Sequence, residues 1–328
     1  MKYVNIPDTA DCSVPFYLSV EEWAARHLPP DEYFFAWQVP PSVICGRHQD
    51  IPLEVDLSQA ESLGVKVWRR KSGGGAVYAD WNNVMFSYIT PSAGVQTSFG
   101  SYTSKICAML ASLGLDAVPT GRNDIAINGH KVAGNAFYGM PGRSIVHGTM
   151  LYDADFATMS RVLTPSRAKV ESKGVKSVPS RITTLRSEGL GMSCPDFIGH
   201  ALKFLGDGGE VHLSHDDLTE VREIMMSYLN PRFLSPAPTA PKITTSEYIE
   251  GVGMVTFSCR ISADGLIHRA TLTGDFFPLA DIDAKIVRHI EGIHPSDLPG
   301  VVEALDIPSV ISGLTNEKLL NILTRNIP

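Results

Sequence analysis

Apolar residues first recur at helical spacing between Val14 and Leu28, where Phe16, Val20, Trp23, Ala24 and Leu28 share one side and Pro29-Pro30 ends the run. That spacing predicts an amphipathic helix. The period then shortens. Tyr33 to Gln38, Val43 to Cys45, Val65 to Arg69, Ala76 to Tyr78 and Val84 to Ile89 are short β-rich runs separated by Pro, Gly and Asn, and they predict a sheet. Helical spacing returns from Ser101 to Leu113, with Tyr102, Ile106, Met109, Leu110 and Leu113 on one face and Gly114 where a glycine closes a helix. This second helix should cover the sheet.

The prolines between Asn230 and Lys242 propagate neither a helix nor a central strand. They predict a linker over 231–242 that separates a larger domain, 1–230, from a smaller one, 243–328. In the smaller domain Gly253 to Ile261 and Leu266 to Thr273 flank Ser-Ala-Asp-Gly as a hairpin would, and helical patterns follow to the end. The fold class predicted is α+β: a mixed or antiparallel sheet with flanking helices, followed by a small α+β domain. The chain shows no internal repeat, heptad array or low-complexity tract.

Composition narrows the function. With 328 residues, 44% hydrophobic and 19% charged, the chain can bury a large core. A formal net charge of -7 argues against a broad nucleic-acid surface, which needs a basic face. The residues from Met1 to Pro7 have no apolar core of signal length, and no run approaches the roughly 18 apolar residues of a membrane helix. The expectation is a cytoplasmic protein with neither nucleic acid nor membrane as partner. Cys12, Cys45, Cys107, Cys194 and Cys259 are widely spaced and form no C-x-x-C pair, so neither a disulfide framework nor a structural metal is expected.

Two stretches carry candidate chemistry. In Arg69-Arg70-Lys71-Ser72-Gly73-Gly74-Gly75-Ala76-Val77-Tyr78 a strand ends in cations and enters three glycines. Glycines let backbone N–H groups approach an oxygen-rich ligand closely, and Arg70 offers a bidentate fork for phosphate or carboxylate. The loop fits neither G-x-x-x-x-G-K-[ST] nor G-x-G-x-x-G, and a plain flexible turn explains the glycines as well. In the second stretch, Gly121 to Ala136, Asn128-Gly129 between alternating runs signals a two-residue hairpin. Such a turn pairs Ile127 with His130, Ala126 with Lys131, Ile125 with Val132 and Asp124 with Ala133. One face then carries Ile125, Ile127, Val132 and His130 toward a core. The other carries Asp124, Ala126, Lys131 and Ala133, with Asp124 and Lys131 diagonal neighbours at about 7 Å. Small alanines beside one cation and one carboxylate leave room for a ligand, although a solvated ion pair is the plainer reading.

Taken in order, several blocks resemble the lipoate-protein ligase family. Arg70 to Tyr78 comes first, then Asn83 with Phe86-Ser87-Tyr88, then Gly121-Arg122-Asn123-Asp124 with Lys131. His147-Gly148-Thr149 and Ser172-Lys173-Gly174-Val175-Lys176-Ser177 follow. Glu21-Glu22 and Val43 to Gln49 resemble the family's opening elements. The likeness covers roughly residues 1 to 190, and the region from Ile243 resembles the family's accessory domain.

The resemblance implies an adenylate-forming ligase. Lipoate and ATP give lipoyl-adenylate and pyrophosphate, and a lysine of an acceptor domain then takes the lipoyl group. Acceptors implied are the lipoyl domains of 2-oxoacid dehydrogenase complexes or the glycine cleavage H protein. Lys131 is the implied catalytic cation. Arg70, Ser72 and the Gly73, Gly74 and Gly75 backbone would hold the acyl-phosphate end, and Ala76, Val77 and Tyr78 would flank the adenylate. Asn83, Asn123, Ala136, His147, Gly148, Thr149, Lys173 and Lys176 complete the implied site. Asp124 would hold Mg²⁺ with the phosphates. No tightly bound organic cofactor is implied. Trp37 and Val43 are candidates for the apolar lipoate slot. Arg167, Lys169, Lys173, Lys176, Arg181 and Arg186 against Glu171 form a basic segment suited to phosphates or an acidic acceptor. The chain departs from the family pattern at Tyr17, Ala79 and Val146, which bears on acyl preference. Two rival readings remain: an octanoyl- or lipoyl-transferase using a cysteine thioester, for which Cys45 is nearest the site, and a non-catalytic lipoate-binding protein.

Overall fold

The structure, a computed structural model, describes residues 1–7, 11, 13–92, 94–121, 123–164, 181–234 and 243–327. Eleven strands build the larger domain: β1 (Lys2–Asn5), β2 (Tyr33–Trp37), β3 (Ser42–Cys45), β4 (Lys66–Arg69), β5 (Val77–Ala79), β6 (Asn83–Pro91), β7 (Ala117–Thr120), β8 (Asp124–Ile127), β9 (His130–Met140), β10 (Arg143–Leu151) and β11 (Glu210–His212). Eight of them form one mixed sheet in the order β11-β1-β2-β6-β10-β9-β8-β7, and β4-β3-β5 form a second, small sheet.

Helices cover both faces of the large sheet, and for that reason its central strands read as continuous apolar runs. Within them the period is still two. Tyr33, Phe35, Trp37, Met85 and Ile89 face helix α1 (Val14–His27), whereas Phe34, Val84, Phe86 and Tyr88 face the opposite layer. The short helices α2 (Ile51–Glu54) and α3 (Leu57–Ser62) lead into β4. That opposite layer is α4 (Val95–Ala111), with Ile106, Met109 and Leu110 buried. After α5 (Phe156–Val162), helix α6 (Cys194–Leu205) joins α4's layer through Phe197, Ala201 and Leu205, and α7 (His215–Tyr228) packs beside α1. Fully burying each such side chain stabilises the fold by about 1.5–3 kcal/mol. Helix α4 begins six residues before its predicted start, because Gln96, Thr97, Ser98 and Gly100 hide the apolar spacing of its first turns.

The smaller domain is a three-stranded antiparallel sheet, β12 (Ile243–Ile249), β13 (Gly253–Ile261) and β14 (Ile267–Gly274), with helical segments on one face around a core that includes Phe257, Phe276, Leu319 and Ile322. The predicted hairpin is β13–β14. In the predicted linker, Pro231–Leu234 forms one helical turn, and 235–242 lie outside the described residues. The two domains meet at Phe276-Phe277. Phe276 belongs to the small domain's core, whereas Phe277 enters the large domain's core with its ring 5.5 Å from Phe99.

Candidate active site

Strands β8 and β9 turn through Asn128-Gly129, both left-handed with φ of 51° and 78°. Ile127 pairs with His130 and Ala126 with Lys131, as the sequence predicts. The next two pairs do not follow. Ile125 pairs with Ala133 and Asp124 with Gly134, so Val132 is an extra residue and β9 bulges there. The faces change accordingly. Val132 and Ala133 both enter the core beside Ile125 and Ile127, while His130 lies exposed at the hairpin end instead of packing inward. Asp124 and Lys131 remain diagonal neighbours, as the sequence predicts, and their side chains close the gap: Nζ is 2.7 Å from Asp124 Oδ1. The Lys131 side chain crosses Gly134, where an added Cβ would lie 2.5 Å from Nζ. It remains 34% exposed, and its carboxylate partner 23%. Thr183 N–H donates to the Lys131 carbonyl at 2.9 Å, so the end of the basic segment lies beside this residue.

Next to this pair, Asn123 and Asn135 clasp each other. Asn135 Nδ2 donates to the Asn123 carbonyl at 2.8 Å, and Asn123 Nδ2 donates to the Asn135 carbonyl. Asn135 Oδ1 has no partner among the described residues, and a Cβ on Gly148 of β10 would lie 1.9 Å from it. Only glycine leaves room for that amide. Asn83 is fully buried, and neither amide atom is paired among the described residues. An unpaired buried polar group costs about 1–3 kcal/mol, so these atoms are the ones a polar ligand would satisfy.

The glycine loop is shaped by its own chain. Arg70 is 4% exposed and donates from Nε to Ser72 Oγ at 2.9 Å, from Nη1 to the Ile44 carbonyl at 2.8 Å, and from Nη2 to the Gly73 and Gly75 carbonyls at 2.7 and 2.8 Å. Burial pushes its guanidinium down to about 10, still protonated at neutral pH. The expected fork for a ligand is therefore turned onto the backbone that bears the glycines. A Cβ on Gly73 would lie 2.4 Å from the Phe276 carbonyl oxygen, and Gly74 N–H donates to that oxygen at 3.1 Å. Gly74 itself is left-handed, with φ 88°. Close approach is what these glycines permit, but at Gly73 and Gly74 the approaching group is the smaller domain. Gly75 keeps partial exposure.

Behind the loop runs a buried chain of hydrogen bonds. Ser72 Oγ lies 2.7 Å from His147 Nε2, and His147 Nδ1 lies 2.8 Å from Glu21 Oε2. Ser87 Oγ donates to Glu21 Oε1, and Trp37 Nε1 donates to Ser87 Oγ at 2.8 Å. Each ring nitrogen of His147 has a partner, Glu21 on one side and Ser72 on the other, and Ser72 Oγ also accepts from Arg70. His147 thus holds the loop through Ser72, with both ring nitrogens engaged.

The remaining expected residues divide. Trp37, 3% exposed, stacks on Tyr17 with ring centroids 4.9 Å apart. Val43 lies in a different cluster with Tyr78, Cys45 and Val162, so the structure does not bring the two slot candidates together. Tyr78 and Ala76 share Val43's side, Val77 turns to the α1 side, and Ala136 and Thr149 are buried. Lys173, Lys176, Arg122 and most of the basic segment lie outside the described residues. Glu21, Gly134 and Asn135 are absent from the site deduced from sequence. The available signal for Glu21 was a carboxylate flanked by Val20, Trp23 and Ala24 on an apolar helix face. Cys45 is fully buried, and burial pushes its thiol up to about 12.

Comparison with known proteins gives one answer. Residues 13–205 match the family described as "Lipoyl protein ligase A/B catalytic domain". The chain is 30% identical to lipoate-protein ligase LplJ of Bacillus subtilis, with 93% of this chain and 95% of that protein covered. Its fold is similar to that of P. falciparum LipL1, solved in complex with lipoate: the TM-score is 0.76 at 18% identity, over 99% of this chain and 98% of the other. A lipoate-protein ligase A bound with ATP superposes with a TM-score of 0.61 at 22% identity, over 71% of this chain and 97% of that one.

Proposed function

The chain belongs to the lipoyl protein ligase A/B family, and from that premise we propose that it is an ATP-dependent lipoate-protein ligase centred on Lys131. The observation that carries the reading is the bulged hairpin that holds a partly exposed lysine across Gly134 beside Asp124, with the neighbouring Asn135 Oδ1 unpartnered among the described residues. In the first half-reaction a lipoate carboxylate oxygen attacks the α-phosphorus of ATP, and the bond to pyrophosphate breaks. Lys131 Nζ balances negative charge on the phosphate oxygens and then on the acyl carbonyl. In the second, an acceptor lysine attacks the acyl carbon and AMP departs. The buried, protonated Cys45 has no part in either step.

Asp124 is the residue that would hold Mg²⁺. Among the described residues there is no cluster of three or more His, Cys, Asp or Glu, and a single carboxylate completed by ATP's own phosphate oxygens is a donor set magnesium accepts. Bound there, the ion would neutralise phosphate charge. The acceptors that go with this reading are lipoyl domains of 2-oxoacid dehydrogenase complexes or the glycine cleavage H protein. A cytoplasmic location goes with it too, and among the described residues no helix is long and apolar enough to cross a membrane.

The test is pyrophosphate release by the purified protein with ATP, with and without lipoate, followed by the mass of an added lipoyl domain. Lipoate-dependent release and then a lipoyl mass increase are expected. Lipoate binding without release would leave a binding protein. Acyl transfer from an acylated carrier that needs no ATP and is lost in Cys45→Ala would establish a thioester transferase instead.

A further inference from the structure

A cleft of about 400 Å³ opens between the first turns of α4, the end of β7 and the smaller domain. Phe99, Gly100 and Thr103 form one wall and Thr120 another, and the loops carrying Gly251 and Gly313 close it from the smaller domain. Asp124 also lines it and is the only ionisable residue among the described lining residues. Lys131 Nζ stands 2.7 Å beyond that carboxylate. The cleft therefore reaches to within one side chain of the proposed catalytic cation, and no described residue of its wall is a cation. Neither the phosphates of ATP nor the carboxylate of lipoate meets a cationic side chain among the described residues of this path. An ammonium meets the Asp124 carboxylate at its inner end.

We propose that this cleft is the entry route of the acceptor lysine, and that Asp124, once pyrophosphate and the magnesium that accompanies it have left, draws in its ammonium and holds it beside the acyl-adenylate. The inference rests on the ligase reading and specifies the side from which the second substrate arrives. The first turn of α4, which includes the lining residues Val95 and Gln96, has Gly94 as its N-cap and receives no side-chain cap bond among the described residues. Chemically, the ammonium gives one proton to water to expose its lone pair. The C–N bond forms at the acyl carbon, and the bond from that carbon to the phosphate oxygen breaks, its electron pair leaving with AMP. The second proton on nitrogen passes to water.

Gly100 allows the route to be blocked without touching the reaction centre. A Cβ built there meets nothing within 4 Å, and the residue lies inside α4, where any ordinary side chain favours the helix over glycine. The experiment compares wild type, Gly100→Ala, Gly100→Leu and, from the opposite wall, Thr120→Trp. Each is assayed for lipoate-dependent pyrophosphate release and, separately, for transfer from preformed lipoyl-adenylate to a purified lipoyl domain at varied concentration. Gly100→Leu and Thr120→Trp are expected to release pyrophosphate at the wild-type rate, while the KM for the acceptor rises by about tenfold or more. Gly100→Ala should resemble wild type. Unchanged transfer in both large variants overturns the route. So does loss of pyrophosphate release alongside transfer in correctly folded variants, which would give the cleft to the nucleotide. No lipoate-dependent release from the wild type is a separate outcome, and it overturns the ligase reading on which the route depends.

Discussion

Arg70 and Lys131 are the two cations that the motifs mark out, and their surroundings differ sharply. Arg70 is buried with four hydrogen bonds to its own chain, and behind it Ser72, His147, Glu21, Ser87 and Trp37 continue one buried network. Lys131 rests on a single described ion pair, to an Asp124 that lines an open cleft, near Asn135, whose Oδ1 has no partner among the described residues. Preorganisation and availability are thus separated. A charge whose donors are all engaged fixes the backbone geometry of the glycine loop, while a charge with donors to spare can follow the negative charge as it moves from phosphate to carbonyl.

The sharpest way to break this comparison is Lys131→Ala. Since Lys131 packs over glycine and is one-third exposed, the fold should keep its stability to within about 0.5 kcal/mol. Lipoate-dependent pyrophosphate release should fall by about 10³-fold, the loss typical when one stabiliser of transition-state charge is removed. Stopped-flow or coupled-assay rates together with a denaturant melt check both halves. An equal loss of stability would mean that Lys131 is as structural as Arg70.

Arg70→Lys should do the reverse. A lysine cannot reach Ser72 Oγ and three carbonyls at once, so the Ile44 and Gly73 carbonyls are left buried without a donor. The expected cost is about 3 kcal/mol, read as a lower midpoint in urea unfolding. Activity at low temperature, where the variant is still folded, should fall far less than in Lys131→Ala. If instead the variant is stable and fails only to bind ATP, then Arg70 swings out to the ligand and the description of its role as internal is wrong.

The layers of the fold were legible because they depend on local period: the alternation in Tyr33 to Trp37 and Val84 to Ile89, the apolar stripe of α1, and the left-handed pair Asn128-Gly129. The rest depends on distant partners. No residue in Lys131-Val132-Ala133 announces a bulge, since Val132 suits either register, and the one-residue slip that moved Ala133 into the core is decided by packing under the hairpin. Glu21 finds its partners 66 and 126 residues away at Ser87 and His147. Gly73 and Gly74 read as a ligand loop because sequence shows that a glycine permits close approach but not what approaches, which here is Phe276 from the smaller domain. The resemblance placed Lys131, Asp124 and Asn123 in one site, and the structure brings Asp124 and Lys131 together. It could not tell which cation is free.

The smallest change that still bears on the comparison is Gly134→Ala. The added Cβ would lie 2.5 Å from Lys131 Nζ and 2.8 Å from its Cε, both at the far end of a flexible side chain, and 3.7 Å from Asp124 Oδ1. The backbone need not move, so stability should change by less than about 1 kcal/mol. What must move is the ammonium, which loses its crossing over the strand and with it the 2.7 Å contact to Asp124. A displacement of about 1 Å in a charge-stabilising group costs roughly ten- to a hundredfold in rate, so pyrophosphate release should drop by about tenfold with little change in the KM for lipoate. Raising the pH should not restore it, because the defect is one of position. If Gly134→Ala releases pyrophosphate at the wild-type rate, Lys131 reaches its substrate from another rotamer and the path over Gly134 belongs to the resting enzyme alone.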